Sequence, residues 1–228
     1  MADLLLMNPN SDAATTRAMV AIARTILPGI GGWTAPSGPG MIVTDEALRT
    51  AAELVAAAVL PPVRGIIVSA FGDPGRAALS RRMACPVVGI GAAAARAAGA
   101  GGRRFAVVTT TPGLRTSIDA LMQAEAGTGS YAGCHLTPGD PVALMADADR
   151  LDAALLAGIE TAARDGAGAV IIGGGPLAEA AERLAAVSPV PLVAPIRAAA
   201  RELRQHVGAE QGADLPPERA DSVKFLPR

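Results

Sequence analysis

The sequence predicts an α/β fold made of two pseudo-symmetric lobes, each a short parallel sheet flanked by helices, with a ligand cleft between them. One observation is that short apolar strands alternate with helical segments along the chain. The other is an internal repeat, because the apolar strand and Gly/Pro turn of 64–75 return at 168–177. Aligning the strand ends matches Ala70 with Gly174, which are 104 positions apart (174 − 70), and the chain has 228 residues. A period of about half the chain indicates two similar lobes.

The first half reads as four strands separated by helices. Asn8-Pro-Asn-Ser11 ends the first strand, and either Ser11 or Asp12 could cap the helix that follows. Thr44 begins the second helix, which Pro61 and Pro62 stop. The predicted strands are 3–8, 33–37 (weak and extended), 65–70 and 86–90. The predicted helices run from residue 11 or 12 to about 26, from 44 to about 60, after Pro74, and over 92–98.

The same order starts again after the small-residue joint Gly99–Gly102. Thr109-Thr-Thr-Pro112 ends the first strand of this half, as the Asn-Pro-Asn turn does in the other. The predicted strands are 105–108, 131–136, 169–172 and 189–193, with a helix over 151–164 and an alanine-rich helix after the last strand. We therefore place the first lobe at 1–98, completed by 205–228, and the second at 99–204. Residues 207–228, which are polar and contain proline, are predicted to be a surface tail.

One long doubly wound sheet with accidental similarity is the alternative to two lobes. The recurrence of four segments in the same order favours two lobes. Parallel sheets put their ligands outside the carboxyl ends of the strands, so facing lobes would line one cleft with strand ends.

Composition excludes several kinds of partner. The net charge is −1 and aromatic residues make up 2% of the chain, which lacks the basic excess and stacking surfaces of nucleic-acid-binding proteins. No apolar run approaches the roughly 20 residues that span a bilayer, and 4–7 is too short for a signal core. The two cysteines, Cys85 and Cys134, are not spaced as a metal site and are too few for a disulfide framework. A cytoplasmic protein without a metal is therefore expected.

Four segments, in this order and spacing, resemble the aspartate/glutamate/hydantoin racemase superfamily, with the greatest similarity to hydantoin and allantoin racemases. They are Asn8-Pro-Asn-Ser-Asp12, Phe71-Gly-Asp-Pro-Gly75, Pro86-Val-Val-Gly-Ile90 and Val107-Val-Thr-Thr110. The resemblance extends to about residue 204 and implies the two-lobed fold. It also implies a cofactor-independent reaction on a small molecule, and homo-oligomers are common among such proteins. Racemases of this family use two cysteines, one from each lobe, as acid and base on opposite faces of the substrate carbon.

The resemblance puts Ala70 and Gly174 at the positions of those two cysteines. A methyl group and a glycine cannot perform a two-thiol proton transfer, and neither Cys85 nor Cys134 matches a motif position. Both cysteines are interpreted as small packed hydrophobes. Family members also often have Ser-Ile-Glu where this chain has Met41-Ile-Val43, and glutamate at the position of Ala92, so a less polar pocket is expected.

Several side chains at predicted strand ends remain available for binding or chemistry. Ser69 and Asp73 are the catalytic candidates, although Asp73 could equally cap a helix. The glycines of 173–175 could form a turn or let the backbone approach a ligand. They are a weak phosphate signal without an acidic ribose partner, so no nucleotide cofactor is predicted. The candidate substrate-binding residues are Asn8, Asn10, Ser11, Ala70, Phe71, Gly72, Thr109, Thr110, Gly174, Gly175 and Pro176, with Thr111 nearby.

Two functions compete on this reading. One is an enzyme acting on a small carboxylate or cyclic imide of the amino acid, hydantoin or malonate type, by isomerase or lyase chemistry. The other is a non-catalytic paralogue that binds such a ligand. A nucleotide-binding domain, which rests on 173–175 alone, ranks last.

Overall fold

Two parallel four-stranded sheets with the same strand order form the molecule. The structure is a computed structural model that describes residues 3–213, with only the backbone for 210–213. The strands are β1 (Leu4–Asn8), β2 (Ile30–Thr34), β3 (Gly65–Val68), β4 (Val87–Gly89), β5 (Arg104–Thr109), β6 (Ser130–Leu136), β7 (Ala169–Ile172) and β8 (Leu192–Val193). Their order is β2-β1-β3-β4 in one sheet and β6-β5-β7-β8 in the other, and every pair is parallel. The predicted fold class is confirmed.

Helices connect the strands and cover the sheets. They are α1 (Ala13–Arg24), α2 (Asp45–Ala57), α3 (Arg76–Arg82), α4 (Ile90–Gly99), α5 (Arg115–Glu125), α6 (Pro141–Met145), α7 (Ala148–Arg164), α8 (Ala178–Leu184) and α9 (Pro195–Ala213). Asp12, rather than Ser11, caps α1 by accepting from the N–H of Ala14, and Thr44 caps α2 through the N–H of Ala47. No helix within residues 3–213 is both long enough and apolar enough to span a bilayer.

The inner faces of the two sheets share one hydrophobic core. Successive strand residues point to opposite faces, so Leu6 and Ile67 of the first sheet join Val107 and Ile171 of the second in this core. The outer face of each sheet has a separate core beneath its own helices. Strands covered on both faces read as continuous apolar runs, which is why β1, β3 and β7 were evident in the sequence.

The alanine-rich helix α4 lies between the halves. It packs against α5, α9 and β7, and its alanines are buried on several sides because a methyl side chain allows close approach of neighbouring backbones. Arg96 on α4 forms ion pairs with Glu125 at the end of α5 and with Glu202 on α9. α9 also packs against α1, β3 and β4 of the first sheet.

Three predictions about secondary structure were wrong in detail. The strand predicted at 189–193 is confined to Leu192–Val193. β2 occupies 30–34 rather than 33–37, since Pro36 has no N–H to extend the ladder. The glycines in β2 suit close packing on α1, where a Cβ at Gly32 would lie 2.9 Å from Cγ2 of Thr16. The predicted tail is helical over 207–213, and Val207 is buried in the shared core. The remainder of that tail, 214–228, lies outside the described residues.

Candidate functional site

A cleft lies where the two central strands of each sheet end. β1 and β3 are central in the first sheet, β5 and β7 in the second, and the segments that follow all four reach the cleft. Its volume is about 40 Å³, room for roughly two or three water molecules, so the walls are close together. The cleft is lined by Asn10, Met41, Ile42, Ser69, Ala70, Phe71, Thr110, Thr111, Leu114, Ile118, Gly173, Gly174, Gly175, Pro176 and Leu177.

The turns after β3 and β7 press against each other beneath this cleft. A Cβ at Gly173 would lie 2.9 Å from Cε1 of Phe71, and a Cβ at Gly175 would lie 2.8 Å from the carbonyl oxygen of Ser69. Side chains at these two glycines would therefore push the turns apart. The glycines at 173 and 175 therefore allow the turn after β7 to pack closely on the turn after β3, which belongs to the other half of the protein.

Ala70 and Gly174 both line the cleft, one from each half. The backbone N–H groups of Ala70, Phe71, Gly174 and Gly175 donate no hydrogen bond to any other part of the described chain. Unpaired backbone donors beside a cleft are suited to oxygen atoms of a ligand, particularly those that carry negative charge.

The two asparagines of the Asn-Pro-Asn turn have different roles, since Asn8 stabilises the turn and Asn10 lines the cleft. Nδ2 of Asn8 donates to Oδ1 of Asn10 at 2.6 Å and to Oγ1 of Thr16 at 2.9 Å, so Asn8 is committed to holding the turn. Oδ1 of Asn10 also accepts from the N–H of Asp12 at 3.0 Å. Nδ2 of Asn10 has no acceptor among residues 3–209, and Asn10 lines the cleft. Asn10 can therefore donate to a ligand.

The threonines at the end of β5 also have different roles, since Thr109 makes structural hydrogen bonds and, within residues 3–209, Thr110 presents an unpaired hydroxyl at the cleft. Oγ1 of Thr109 donates to the carbonyl of Gly173 at 2.6 Å and lies 3.1 Å from Oγ1 of Thr111, which ties β5 to the turn after β7. Thr110 is fully buried, lines the cleft, and its hydroxyl has no hydrogen-bond partner in the described part of the chain. A buried hydroxyl without a partner is costly, so this group is suited to a ligand that supplies one.

Ser69 lines the cleft without an activating neighbour. Its hydroxyl donates to the carbonyl of Met7 at 2.7 Å, the same oxygen that accepts its backbone N–H. Within the cleft lining of the described chain there is no Asp, Glu, His, Cys, Lys or Arg side chain. The site therefore contains hydrogen-bonding groups but no side chain that titrates near neutral pH.

Comparison with known proteins assigns the chain to a family. The profile described as Asp/Glu/Hydantoin racemase matches residues 4–203. The chain belongs to this family. It is 28% identical over 207 residues to a hydantoin racemase of Paenarthrobacter aurescens, covering 87% of this chain and 88% of that protein. The allantoin racemase of Klebsiella pneumoniae has 28% identity and a TM-score of 0.75, with 91% of this chain and 88% of the other covered. That of Pseudomonas fluorescens has 25% identity and a TM-score of 0.76, with 91% of each covered.

Asp73 of this racemase-family chain lies behind the cleft turn and does not line the cleft. Its two carboxylate oxygens accept from the N–H groups of Gly91 at 2.7 Å and Ala92 at 2.8 Å, at the start of α4. Burial raises the pKa of the carboxyl group to about 6, although both hydrogen bonds and Arg76 oppose the rise. A Cβ at Gly89 would lie 2.1 Å from Cγ of Asp73, so the carboxyl group packs directly on this glycine.

The natural cysteines lie away from the cleft lining. Cys134 is a buried residue of β6, and burial raises the pKa of its thiol to about 12. Cys85 precedes β4 and is partly buried. Residues 3–209 contain no group of three or more His, Cys, Asp or Glu side chains placed to hold a metal ion.

The structure brings part of the predicted site together on the cleft of this family member. The predicted residues that line it are Asn10, Ser69, Ala70, Phe71, Thr110, Gly174, Gly175 and Pro176, and those that do not are Asn8, Ser11, Gly72, Asp73 and Thr109. Ser11 instead donates its hydroxyl to the carbonyl of Gly38 at 2.9 Å. Sequence reasoning missed Leu114, Ile118 and Leu177, whereas it had already connected Gly173 and the segment 41–43 with the pocket. The four-residue spacing of Leu114 and Ile118 was the available signal, since it places both on one helix face.

Proposed function

We propose that this racemase-family protein acts on a small carboxylate or cyclic imide of the amino acid, hydantoin or malonate type. The reaction is isomerase or lyase chemistry that uses no pair of thiols. The observation that supports this most is that Ala70 and Gly174, which match the family's two cysteine positions by sequence resemblance, line one cleft from opposite halves. The similarity to a hydantoin racemase and to allantoin racemases supports a cyclic imide as the ligand.

The unpaired donors of the cleft would bind the ligand's oxygen atoms. Nδ2 of Asn10 and the hydroxyl of Thr110 can each donate to a carbonyl or carboxylate oxygen. The free N–H groups of Ala70 and Gly174 can do the same. Donors that are already fixed in place stabilise an enolate oxygen more than a neutral carbonyl, which lowers the barrier to forming the enolate by several kcal/mol.

Lyase chemistry makes the smallest demand on the side chains present. When a malonate loses CO₂, the bonding electron pair stays on the substrate as an enolate, so no protein base is needed. Water then returns a proton to the carbon. Isomerisation requires a base to remove a proton first, and in this cleft that base would be water or a group of the substrate. We assign Ser69 a ligand-contacting role and Asp73 the role of holding the turn, from their places at and behind the cleft.

A non-catalytic paralogue that binds the same kind of ligand is the second candidate. The observation in its favour is that none of the cleft-lining residues in the described chain carries a side chain that titrates near neutral pH. On this view the donors at Asn10 and Thr110 bind a ligand, and no bond is made or broken.

Turnover and binding measured on the same protein distinguish these candidates. The protein is incubated in deuterated water with amino acids, 5-substituted hydantoins and substituted malonates. Deuterium at the α-carbon is followed by NMR, and released CO₂ is measured. Exchange or CO₂ release above the protein-free rate supports the enzyme. A raised melting temperature with neither reaction supports the binding protein, and no effect of any of these compounds contradicts both.

A further inference from the structure

An apolar wall forms one part of the cleft. The wall consists of Met41, Ile42, Leu114 and Ile118. Met41 and Ile42 come from the segment before α2 in the first half. In the second half, Leu114 directly precedes α5 and Ile118 lies near the start of that helix. Ile42, Leu114 and Ile118 are buried members of the shared hydrophobic core. At this wall, the cleft is therefore lined directly by side chains of the shared hydrophobic core.

Direct contacts between the halves hold the two parts of this wall together. A Cβ at Gly113 would lie 2.5 Å from the carbonyl oxygen of Val43, so the backbones next to Leu114 and Ile42 touch. The hydroxyl of Ser117 donates to Oδ1 of Asp45 at 2.6 Å, which joins the first turns of α5 and α2. These contacts on either side of the wall therefore keep its two parts next to each other.

Over residues 3–209, the cleft lining has no charged side chain, which makes a charged ligand group unfavourable at this wall. The cleft lining within the described residues has no cation to balance a carboxylate and no anion to balance an ammonium group. An unpaired charge placed against apolar side chains loses its hydration without compensation. The hydrogen-bonding side chains instead come from the segments that follow strands, and they are Asn10, Ser69, Thr110 and Thr111. The lining thus has a hydrogen-bonding part and an apolar part.

We propose that the ligand carries an uncharged apolar substituent, which lies against the apolar wall while its oxygen atoms meet Asn10 and Thr110, and that the close walls of the cleft move apart to admit it. This inference rests on the proposed function, because it specifies the class of carboxylate or imide. Each methylene group that the wall removes from water is expected to raise affinity about fourfold. Met41 is partly exposed and its unbranched side chain adapts its shape, so it adjusts the wall to the size of the substituent.

Two ligand series test the inference without assuming which scaffold is bound. Hydantoins substituted at carbon 5, and malonates substituted at carbon 2, carry hydrogen, methyl, isobutyl, benzyl or carboxymethyl groups. Dissociation constants are measured by calorimetry on the full chain. Affinity that rises from hydrogen to isobutyl or benzyl, with carboxymethyl at least about tenfold weaker than isobutyl, supports the proposal. Equal or tighter binding of the carboxymethyl compound overturns it and leaves the proposed function intact. If no member of either series binds, both fail.

A methionine substitution connects the preference to the wall. Met41→Gln keeps the side-chain length and places an amide where the substituent lies, so the preference for isobutyl over hydrogen should fall several-fold. Met83→Gln is the matched control, since Met83 is also partly buried but packs on the outer core of the first sheet. An unchanged preference in Met41→Gln, or an equal fall in both variants, contradicts the assignment of the wall.

Discussion

The carboxylate of Asp73 accepts a hydrogen bond from the N–H of Gly91 at 2.7 Å. The same residue donates its own N–H to the carbonyl of Ala70 at 3.0 Å, so the turn that carries Ala70 is tied to the start of α4. Asp73 has a φ of 50°, which is uncommon for a residue with a side chain. Asp73 is therefore placed to hold the shape of the cleft from behind.

The pH dependence of stability is the first prediction, and it concerns Asp73. Its folded pKa of about 6 lies above the ordinary 3.8, so the folded chain holds this proton between about pH 4 and 6 while the unfolded chain has lost it. The retained proton makes the folded state more stable, and this contribution to the unfolding free energy is greatest below pH 4 and is lost as the pH rises through 6. Relative to Asp73→Asn, which cannot titrate, the wild type should lose about 2 kcal/mol of unfolding free energy between pH 4 and pH 7. Urea unfolding of both proteins across this range measures the change.

Asp12→Asn is the control for this experiment because the pKa of the Asp12 carboxyl group is shifted in the opposite direction. Thr15 and the N–H of Ala14 donate to Asp12 and lower the pKa of its carboxyl group. Its contribution should be present above about pH 4 and lost as the pH falls further. A difference between wild type and Asp73→Asn that stays constant from pH 4 to pH 7 would contradict the placement of a buried, titrating carboxyl group on α4.

The fold was predictable because the strands are buried on both faces and the helix boundaries have chemical markers. Continuous apolar runs identified β3 and β7, and Asp12 and Thr44 marked helix starts through their capping oxygens. The position of β2 was less predictable, since its glycines resemble a loop until α1 is packed against them. Likewise, the helical part of the predicted tail depends on burial of Val207 by distant parts of the chain. The lobe boundary at 98/99, homo-oligomerisation and a cytoplasmic location stay predictions.

The cleft was predictable where residues follow strands and unpredictable where they depend on contacts between the halves. Asn10 and Thr110 follow β1 and β5 directly, so their place at a strand end could be read from the sequence. Which of two neighbouring polar residues faces the cleft depends on hydrogen bonds that the sequence does not reveal, such as that of Thr109 to Gly173. Met41 reaches the cleft because its loop contacts the other half, and local pattern carries no information about that contact.

The second prediction concerns the buried hydroxyl of Thr110. Thr110→Val keeps the shape of the side chain and removes a polar group that has no partner in the described chain. Without ligand, the unfolding free energy should therefore rise by about 1 kcal/mol. Binding of a hydantoin or malonate found in the ligand screen should weaken about tenfold, because the ligand loses a hydrogen bond. Denaturant unfolding and calorimetry measure the two effects.

Two neighbouring threonines separate the causes of these effects. Thr109→Val removes the donor to Gly173, so stability should fall by about 1–3 kcal/mol. Thr137 also has a buried hydroxyl without a partner in residues 3–209, but it does not line the cleft. Thr137→Val should therefore gain stability with no change in ligand affinity. Weakened binding in Thr137→Val to the same extent as in Thr110→Val would argue against a ligand contact at Thr110.

The third prediction restores the missing chemistry. Ala70→Cys combined with Gly174→Cys places one thiol on the cleft from each half, as the family's two-thiol mechanism requires. The rate of deuterium exchange at carbon 5 of a bound hydantoin should be at least about a hundredfold higher than in the parent protein. Positioned acid and base groups usually accelerate such a step by this factor or more. A Cβ at Gly174 would lie 3.1 Å from Cγ of Leu177, and the φ of 158° at this position is one that residues with a side chain rarely adopt, so Gly174→Ala tests whether position 174 accepts a side chain. Cys134 does not line the cleft, and its raised thiol pKa keeps the background exchange low. NMR in deuterated water measures the exchange, with each single cysteine variant and Ala70→Ser/Gly174→Cys as controls. If the double variant folds and binds the hydantoin yet exchanges no faster than these controls, positions 70 and 174 do not face opposite sides of the substrate carbon.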